Sequence, residues 1–259
     1  MGKLSAIEWT DATFNPWWGC SRVSPACAHC YADTFAHRWG LELWAEGGAR
    51  RFFGEKHWNE PRVWNRNAQA AGEPLKVFCA SMADVFEDHS GLDVWREKLW
   101  DLVAETPWLH WQLLTKRPEN VLAMSPWANE WPHNVWIGAS IENSRFTFRA
   151  DLLREVPCAV RFISAEPLLG SLFVEKRGRA PLDLAGISWL IVGGESGPRA
   201  RPMELAWARE LRSACADEGV AFFLKQLGGV RDKRGGQKAR LDRRLWREFP
   251  YAPAVPVAA

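Results

Sequence analysis

The chain has 259 residues, of which 47% are hydrophobic and 25% charged, a balance that excludes a disordered polymer and allows one large α/β domain with a sizeable core. Its formal net charge of +2 singles out no class of partner, and no stretch reaches the roughly 18 uncharged apolar residues of a membrane span. The N-terminal stretch lacks a charged leader followed by an apolar run, so the expected compartment is the cytoplasm, with no membrane partner.

The first predicted element is a strand at 12–18 (ATFNPWW). It runs into WWGCSRVSPACAHCYAD (17–33), which places Cys20, Cys27 and Cys30 within eleven residues as Cx6Cx2C. Residues 40–75 mix charges, glycines and aromatics and are expected to form an irregular excursion over the mouth of the fold. Six further apolar runs then read as strands: KVFCAS (76–81), HWQLLT (110–115), NVWIGAS (134–140), VRFISAE (160–166), WLIVGGE (189–195) and AFFLKQ (221–226). Their hydrophobicity is nearly continuous, as for strands covered on both faces of a parallel sheet. Between them, 91–106, 144–156 and 203–219 carry apolar residues at helical spacing, the last ending at Gly219.

This β, α, β, α order predicts parallel crossovers, in an open doubly wound sheet or in a barrel. No G-x-G-x-x-G follows the first strand, which favours the barrel. The expected fold is therefore a partial or complete (β/α) barrel of about six to eight mostly parallel strands. A single domain over 1–250 and a tail over 251–259 are expected. The 17 tryptophans are expected mainly in the core, where large rings bury area efficiently. The segment 231–247 carries eight basic and two acidic residues; it reads as a solvated loop or as a phosphate contact.

In parallel α/β folds the chemistry sits at the carboxyl ends of the strands. Three successive strands close with a small residue and a glutamate, giving Glu142, Glu166 and Glu195, and Lys116, Lys225 and Asp84 lie at neighbouring ends. Acidic residues here also suit the starts of the following helices. Gly193 and Gly194 let backbone approach a ligand closely, or simply form a tight turn.

Clustered cysteines in a reducing compartment read as metal ligands. A structural zinc site is closed by four ligands, whereas a site that binds substrate keeps a position open. Three thiolates on one loop therefore suit a [4Fe-4S] cluster whose fourth iron is left for S-adenosylmethionine. The alternative is zinc held by Cys20, Cys27, Cys30 and His29 or His37. Cys79, Cys158 and Cys215 sit in apolar settings and read as small core residues.

The blocks IEWTDATFNPWWGCSRVSPACAHCYAD, SMADVFEDH, LLTKRPEN, NVWIGASIEN, RFISAEPLLG, WLIVGGESGPRARPM and FFLKQLGG together resemble the three-Cys-motif proteins of phages and bacteria, a family without assigned function regarded as a divergent relative of the radical S-adenosylmethionine enzymes. The resemblance covers roughly residues 7 to 250. The superfamily's usual cysteine loop is Cx3Cx2C, from which Cx6Cx2C departs. What it implies is a partial barrel with the cluster loop after the first strand and S-adenosylmethionine across the strand ends, cleaved to a 5′-deoxyadenosyl radical. It also implies that Gly193, Gly194 and Glu195 contact the methionine amino group, Ser140, Glu142 and Asn143 the ribose, and Lys116 a carboxylate. Glu166 joins these as a cofactor-binding candidate.

Two functions from different classes follow. One is an iron–sulfur enzyme of the radical S-adenosylmethionine type, with nucleic acid or a nucleotide as the candidate substrate and a protein encoded nearby as a candidate partner. The other is a zinc-stabilised nucleic-acid-binding protein without catalysis. An inactive barrel serving as a partner subunit is a third reading.

Overall fold

The computed structural model describes residues 5–174, 180–230 and 239–252. In chain order, β1 (Ala12–Thr13) precedes β2 (Trp17–Trp18), α1 (Tyr31–His37), β3 (Arg51–Phe52), α2 (Glu55–Trp58) and α3 (Glu60–Ala71). Then β4 (Leu75–Cys79), α4 (Asp93–Glu105), β5 (Leu109–Thr115), α5 (Val121–Met124), β6 (Val135–Ser140), α6 (Phe148–Arg154), β7 (Val160–Ala165), β8 (Trp189–Gly193), α7 (Leu205–Asp217) and β9 (Ala221–Gln226) follow.

Seven strands make one sheet in the order β1-β4-β5-β6-β7-β8-β9, with every neighbouring pair parallel. Spatial order thus follows chain order without reversal. A doubly wound sheet would reverse at a switch point; with none, successive right-handed crossovers fall on the same face and the sheet curls into an open α/β half-barrel. The small ribbon of β2 and β3 is antiparallel.

Alternate strand residues feed two cores, as the two-residue period of a strand requires. Val77, Trp111, Ile137, Ile163, Leu190 and Phe222 face the helix-covered side with Leu99, Leu153 and Leu211. Phe78, Trp136, Phe162, Trp189 and Phe223, joined by Trp9, fill the concave side. The rings pack edge to face: Trp136 and Trp189 at 6.4 Å, Trp189 and Phe223 at 6.2 Å. Gly138 makes this layer fit, because a Cβ there would stand 2.3 Å from the Phe162 ring. Both faces are buried, which is why the strands read as continuous apolar runs.

Three expectations need correcting. The 12–18 strand is two elements, since Trp17 and Trp18 leave the sheet to pair with β3. The 40–75 segment is not irregular throughout: residues 55–71 form α2 and α3, with Trp58 and Ala68 buried and Gly72 closing α3 at φ +69°. The helix expected over 144–156 is a 3-10 turn, Ser144–Phe146, followed by the shorter α6.

Residues 231–238 of the basic segment, and 253–259 of the expected tail, lie outside the described residues. The remainder of the segment folds back on the barrel, with Arg209 on Asp242 at 2.8 Å and Arg247 on Glu8 at 2.8 Å. Along the outer edge of β9, Leu224 N–H donates to the Trp246 carbonyl at 2.9 Å and Glu248 N–H to the Phe222 carbonyl at 3.1 Å.

Candidate metal and cofactor site at the strand ends

The cysteine loop leaves the carboxyl end of β1 and crosses the end of the sheet. Gly19 makes an isolated parallel bridge with Ala83 beyond β4, at φ +116°, where a Cβ would come within 2.8 Å of the Leu43 carbonyl. Glycine is therefore required at this entry. Cys20, Cys27 and Cys30 are half-buried free thiols, whereas Cys79, Cys158 and Cys215 are buried in the core. A 3-10 turn, Pro25–Cys27, lies between the first two, and α1 begins at the residue after Cys30.

Two charge networks hold this loop, the first buried and the second partly exposed. In the first, Arg50 reaches both oxygens of Glu87, Nε to Oε2 at 3.1 Å and Nη2 to Oε1 at 2.9 Å. The Ser21 N–H donates to Glu87 Oε1 at 2.6 Å. Arg117 donates to the Ser21 carbonyl at 2.9 Å and to Asp84 Oδ2 at 3.0 Å, and its Nη1 lies 3.6 Å from Cys20 Sγ. Asp84 also accepts from Thr115 Oγ1 at 2.7 Å and Lys116 N–H at 3.0 Å. Burial pushes the Cys20 thiol up to about 12, with Asp84 adding to the rise and Arg117 opposing it. Burial raises Cys30 as well.

In the second network Glu195, 5% exposed, accepts from Arg201 through Nη2 at 2.6 Å, Nε at 2.9 Å and the backbone N–H at 2.9 Å. His29 Nδ1 lies 3.0 Å from Glu195 Oε2, and Arg201 donates onward to the Pro25 carbonyl at 3.0 Å. Burial alone would raise the Glu195 carboxyl; the hydrogen bonds from Arg201 and His29 hold it down at about 2. Glu195 therefore grips the cysteine loop.

The other candidates divide into pairs on the concave side. Lys116 Nζ is 3.5 Å from Ser140 Oγ and has no carboxylate partner among the described residues. Glu166 pairs with Lys225 at 2.5 Å. A Cβ at Gly193 would press to 3.0 Å on the Glu166 carboxyl carbon, and one at Gly194 would fall 2.2 Å from the Leu227 carbonyl oxygen. Gly193 thus makes room for Glu166 beyond β7, and Gly194 lets the ends of β8 and β9 approach. Glu142 is fully buried, with Oε2 on Arg149 at 3.0 Å and Oε1 without a partner among the described residues. Asn143 instead caps the following turn, accepting from Arg145 N–H at 3.0 Å.

Of the residues singled out from sequence, the structure joins Lys116 to Ser140, seats Gly193 against Glu166 and sends Glu195 toward the cysteine loop. The sequence reading missed Arg50, Glu87, Arg117 and Arg201; the first three have charged partners in distant segments, whereas Arg201 bonds Glu195 six residues away. Arg117 and Arg201 fall inside the blocks LLTKRPEN and WLIVGGESGPRARPM; one residue past Lys116 reaches Arg117, whereas Arg201 lies six residues past Glu195.

The donor set is three thiols on one loop, a chemistry that suits iron–sulfur ligation. Among the described residues no group of three or more His, Cys, Asp or Glu side chains is gathered closely enough to hold a metal ion. A single ion bonded to sulfur at about 2.3 Å draws its ligands nearly into contact; a cluster in which each sulfur takes a separate iron spaces them wider. A cavity of about 400 Å³ opens at the opposite end of β8 and β9, lined by Ser188, Cys215, Ala221 and Glu248, away from this chemistry.

Residues 4–250 match the family described as "Protein of unknown function (DUF5131)". No curated protein matches the chain. Two solved structures are similar in fold, both mutants of spore photoproduct lyase. One is 12% identical, covering 84% of this chain and 76% of that chain at a TM-score of 0.47. The other is 14% identical, covering 76% of this chain and 58% of that chain at a TM-score of 0.40.

Proposed function

The chain belongs to the DUF5131 family, and from that premise we propose that it is an iron–sulfur enzyme of the radical S-adenosylmethionine type. The observation that carries the reading is a loop of three half-buried free thiols pinned across the carboxyl ends of a parallel half-barrel, while the chain's other three cysteines are core residues. In this reading Cys20, Cys27 and Cys30 ligate a [4Fe-4S] cluster. When bound, the cluster and S-adenosylmethionine supply reductive carbon–sulfur cleavage to a 5′-deoxyadenosyl radical.

The chain's own residues bind and orient. Lys116, a cation without a carboxylate partner, suits a ligand carboxylate. The free Oε1 of Glu142 suits an ammonium or hydroxyl donor, because a buried carboxylate oxygen left without a donor is costly. Ser140 and Asn143 border the same end of β6 and serve the ribose, Asn143 through Nδ2 because its Oδ1 caps the following turn, and Glu166 with Gly193 and Gly194 forms the adjoining wall. Glu195 acts through His29 and Arg201, orienting the loop that carries the thiols.

A second reading has one observation behind it. Glu195 engages Nδ1 of His29 and leaves Nε2 without a hydrogen-bond partner among the described residues, the arrangement common around metal-bound imidazoles. His29 would then close a four-ligand zinc site, whereas His37 is engaged with Asp33 at 3.1 Å.

Anaerobic reconstitution with iron and sulfide, read by visible absorbance and metal analysis, separates the two. The enzyme reading expects a brown protein that loses iron when Cys20, Cys27 or Cys30 becomes Ala, keeps it in Cys79→Ala and Cys215→Ala, keeps it in His29→Gln, and releases 5′-deoxyadenosine on reduction. Colourless protein with stoichiometric zinc, lost in His29→Gln, is the result that overturns it.

A further inference from the structure

We propose that the exposed aromatic face beside the cysteine loop is a stacking platform for single-stranded nucleic acid. Tyr31, Phe35 and Trp39 recur every four residues along α1 and the turn that ends it, so their rings share one side. They are 56%, 40% and 67% exposed, a concentration of bare rings that soluble surfaces rarely carry without a ligand.

The rings form a continuous run. Trp39 lies 6.4 Å from Phe35, Phe35 is 5.8 Å from Trp18 on β2, and Trp18 is 5.7 Å from Phe53. Arg51 caps the far end, its guanidinium 4.8 Å above Trp18 and 5.5 Å above Phe53. At the near end Tyr31 directly follows Cys30 and donates its hydroxyl to the Ser81 carbonyl at 2.7 Å, with the residue still 56% exposed. The run therefore leads away from the thiol loop.

Charge decides the occupant. Arg38 and Arg51 are both exposed, and neither has a carboxylate partner among the described residues. Asp33, the acidic residue of α1, is already taken by Arg22 and His37. Flat rings in series with unneutralised guanidinium groups beside them match the alternation of base and phosphate along a single strand. Every base has a face to stack, so the platform recognises the polymer and not a sequence.

The inference does not rest on the cofactor reading. Binding is measured without iron, so failed cluster loading leaves it standing, and loss of oligonucleotide binding leaves the cluster reading untouched. The probes are fluorescein-labelled oligodeoxythymidine and oligouridine, titrated with the full-length protein and followed by anisotropy at two salt concentrations; the pair shows whether DNA, RNA or both are held. Trp39→Ala and Phe35→Ala should each weaken binding about tenfold, and Trp39→Phe should restore most of it. Arg51→Ala should reduce the salt slope by about one. Melting curves confirm that each variant is folded. No binding at micromolar protein, equal binding by the parent and a folded Trp39→Ala, or a face that captures a protein while ignoring both oligonucleotides would each overturn the proposal.

Discussion

His110 shows how far one side chain's surroundings can move its chemistry. It is 5% exposed, stacked on Trp136 at 5.0 Å, with Nε2 unpartnered among the described residues. Burial, and then the charges of Lys76 and His133, lower its pKa to about 4, with Asp11 opposing. The unfolded chain binds this proton below about 6.5 while the folded one resists until about 4, so the stability is complete above 6.5 and drains away as pH falls through that window. The contribution amounts to about 3 kcal/mol. Chemical denaturation between pH 7 and 4 should show that slope, and His110→Phe, which keeps the stack, should flatten it; an unchanged slope would mean that other groups control acid stability.

At the scale of elements, the cysteine loop depends on charges that local pattern does not reveal. The strands were legible because burial on both faces writes continuous apolar runs into the sequence, and the thiols because three fall within eleven residues. α1 and α3 were not, since one hides inside the cysteine segment and the other carries a mostly polar sequence, EPRVWNRNAQAA. Arg50, Glu87 and Arg117 were illegible for a different reason. They come from three separate segments, and buried ion pairs between distant segments leave no periodicity behind. Their importance is nonetheless testable. Glu87→Ala removes the acceptor shared by Arg50 and the Ser21 N–H, and uncompensating a buried pair costs about 3–5 kcal/mol. The melting temperature should fall, and hydrogen exchange should rise first over residues 19–27. Uniform loosening, or none, would show that the network does not set the loop.

For the whole molecule, an open half-barrel leaves two sheet edges, and exposed edges invite pairing with other chains. β1 limits this by its two-residue length, and β9 by the strap at Trp246–Glu248. Deleting residues 240–259 should therefore give soluble oligomers or aggregates in light scattering; a monomer of unchanged melting temperature would mean that the strap protects nothing. The topology was legible in outline, because alternation of strand and helix predicts a parallel sheet. Its failure to close was not, since two- and six-residue strands at the edges give no sign of whether they meet.

The monotonic strand order also fixes a sequence of assembly. A nascent polypeptide leaving the ribosome can lay each strand after β4 against an edge that already exists, without waiting for distant partners. The Glu195 grip on the thiol loop can form once Arg201 has emerged, but Glu166 stays unmatched until β9 delivers Lys225. The mouth thus gains its full arrangement of charge only at the last docking step, so a translation product stopped short of Ala221 would hold the thiol loop without the ion pair beside it.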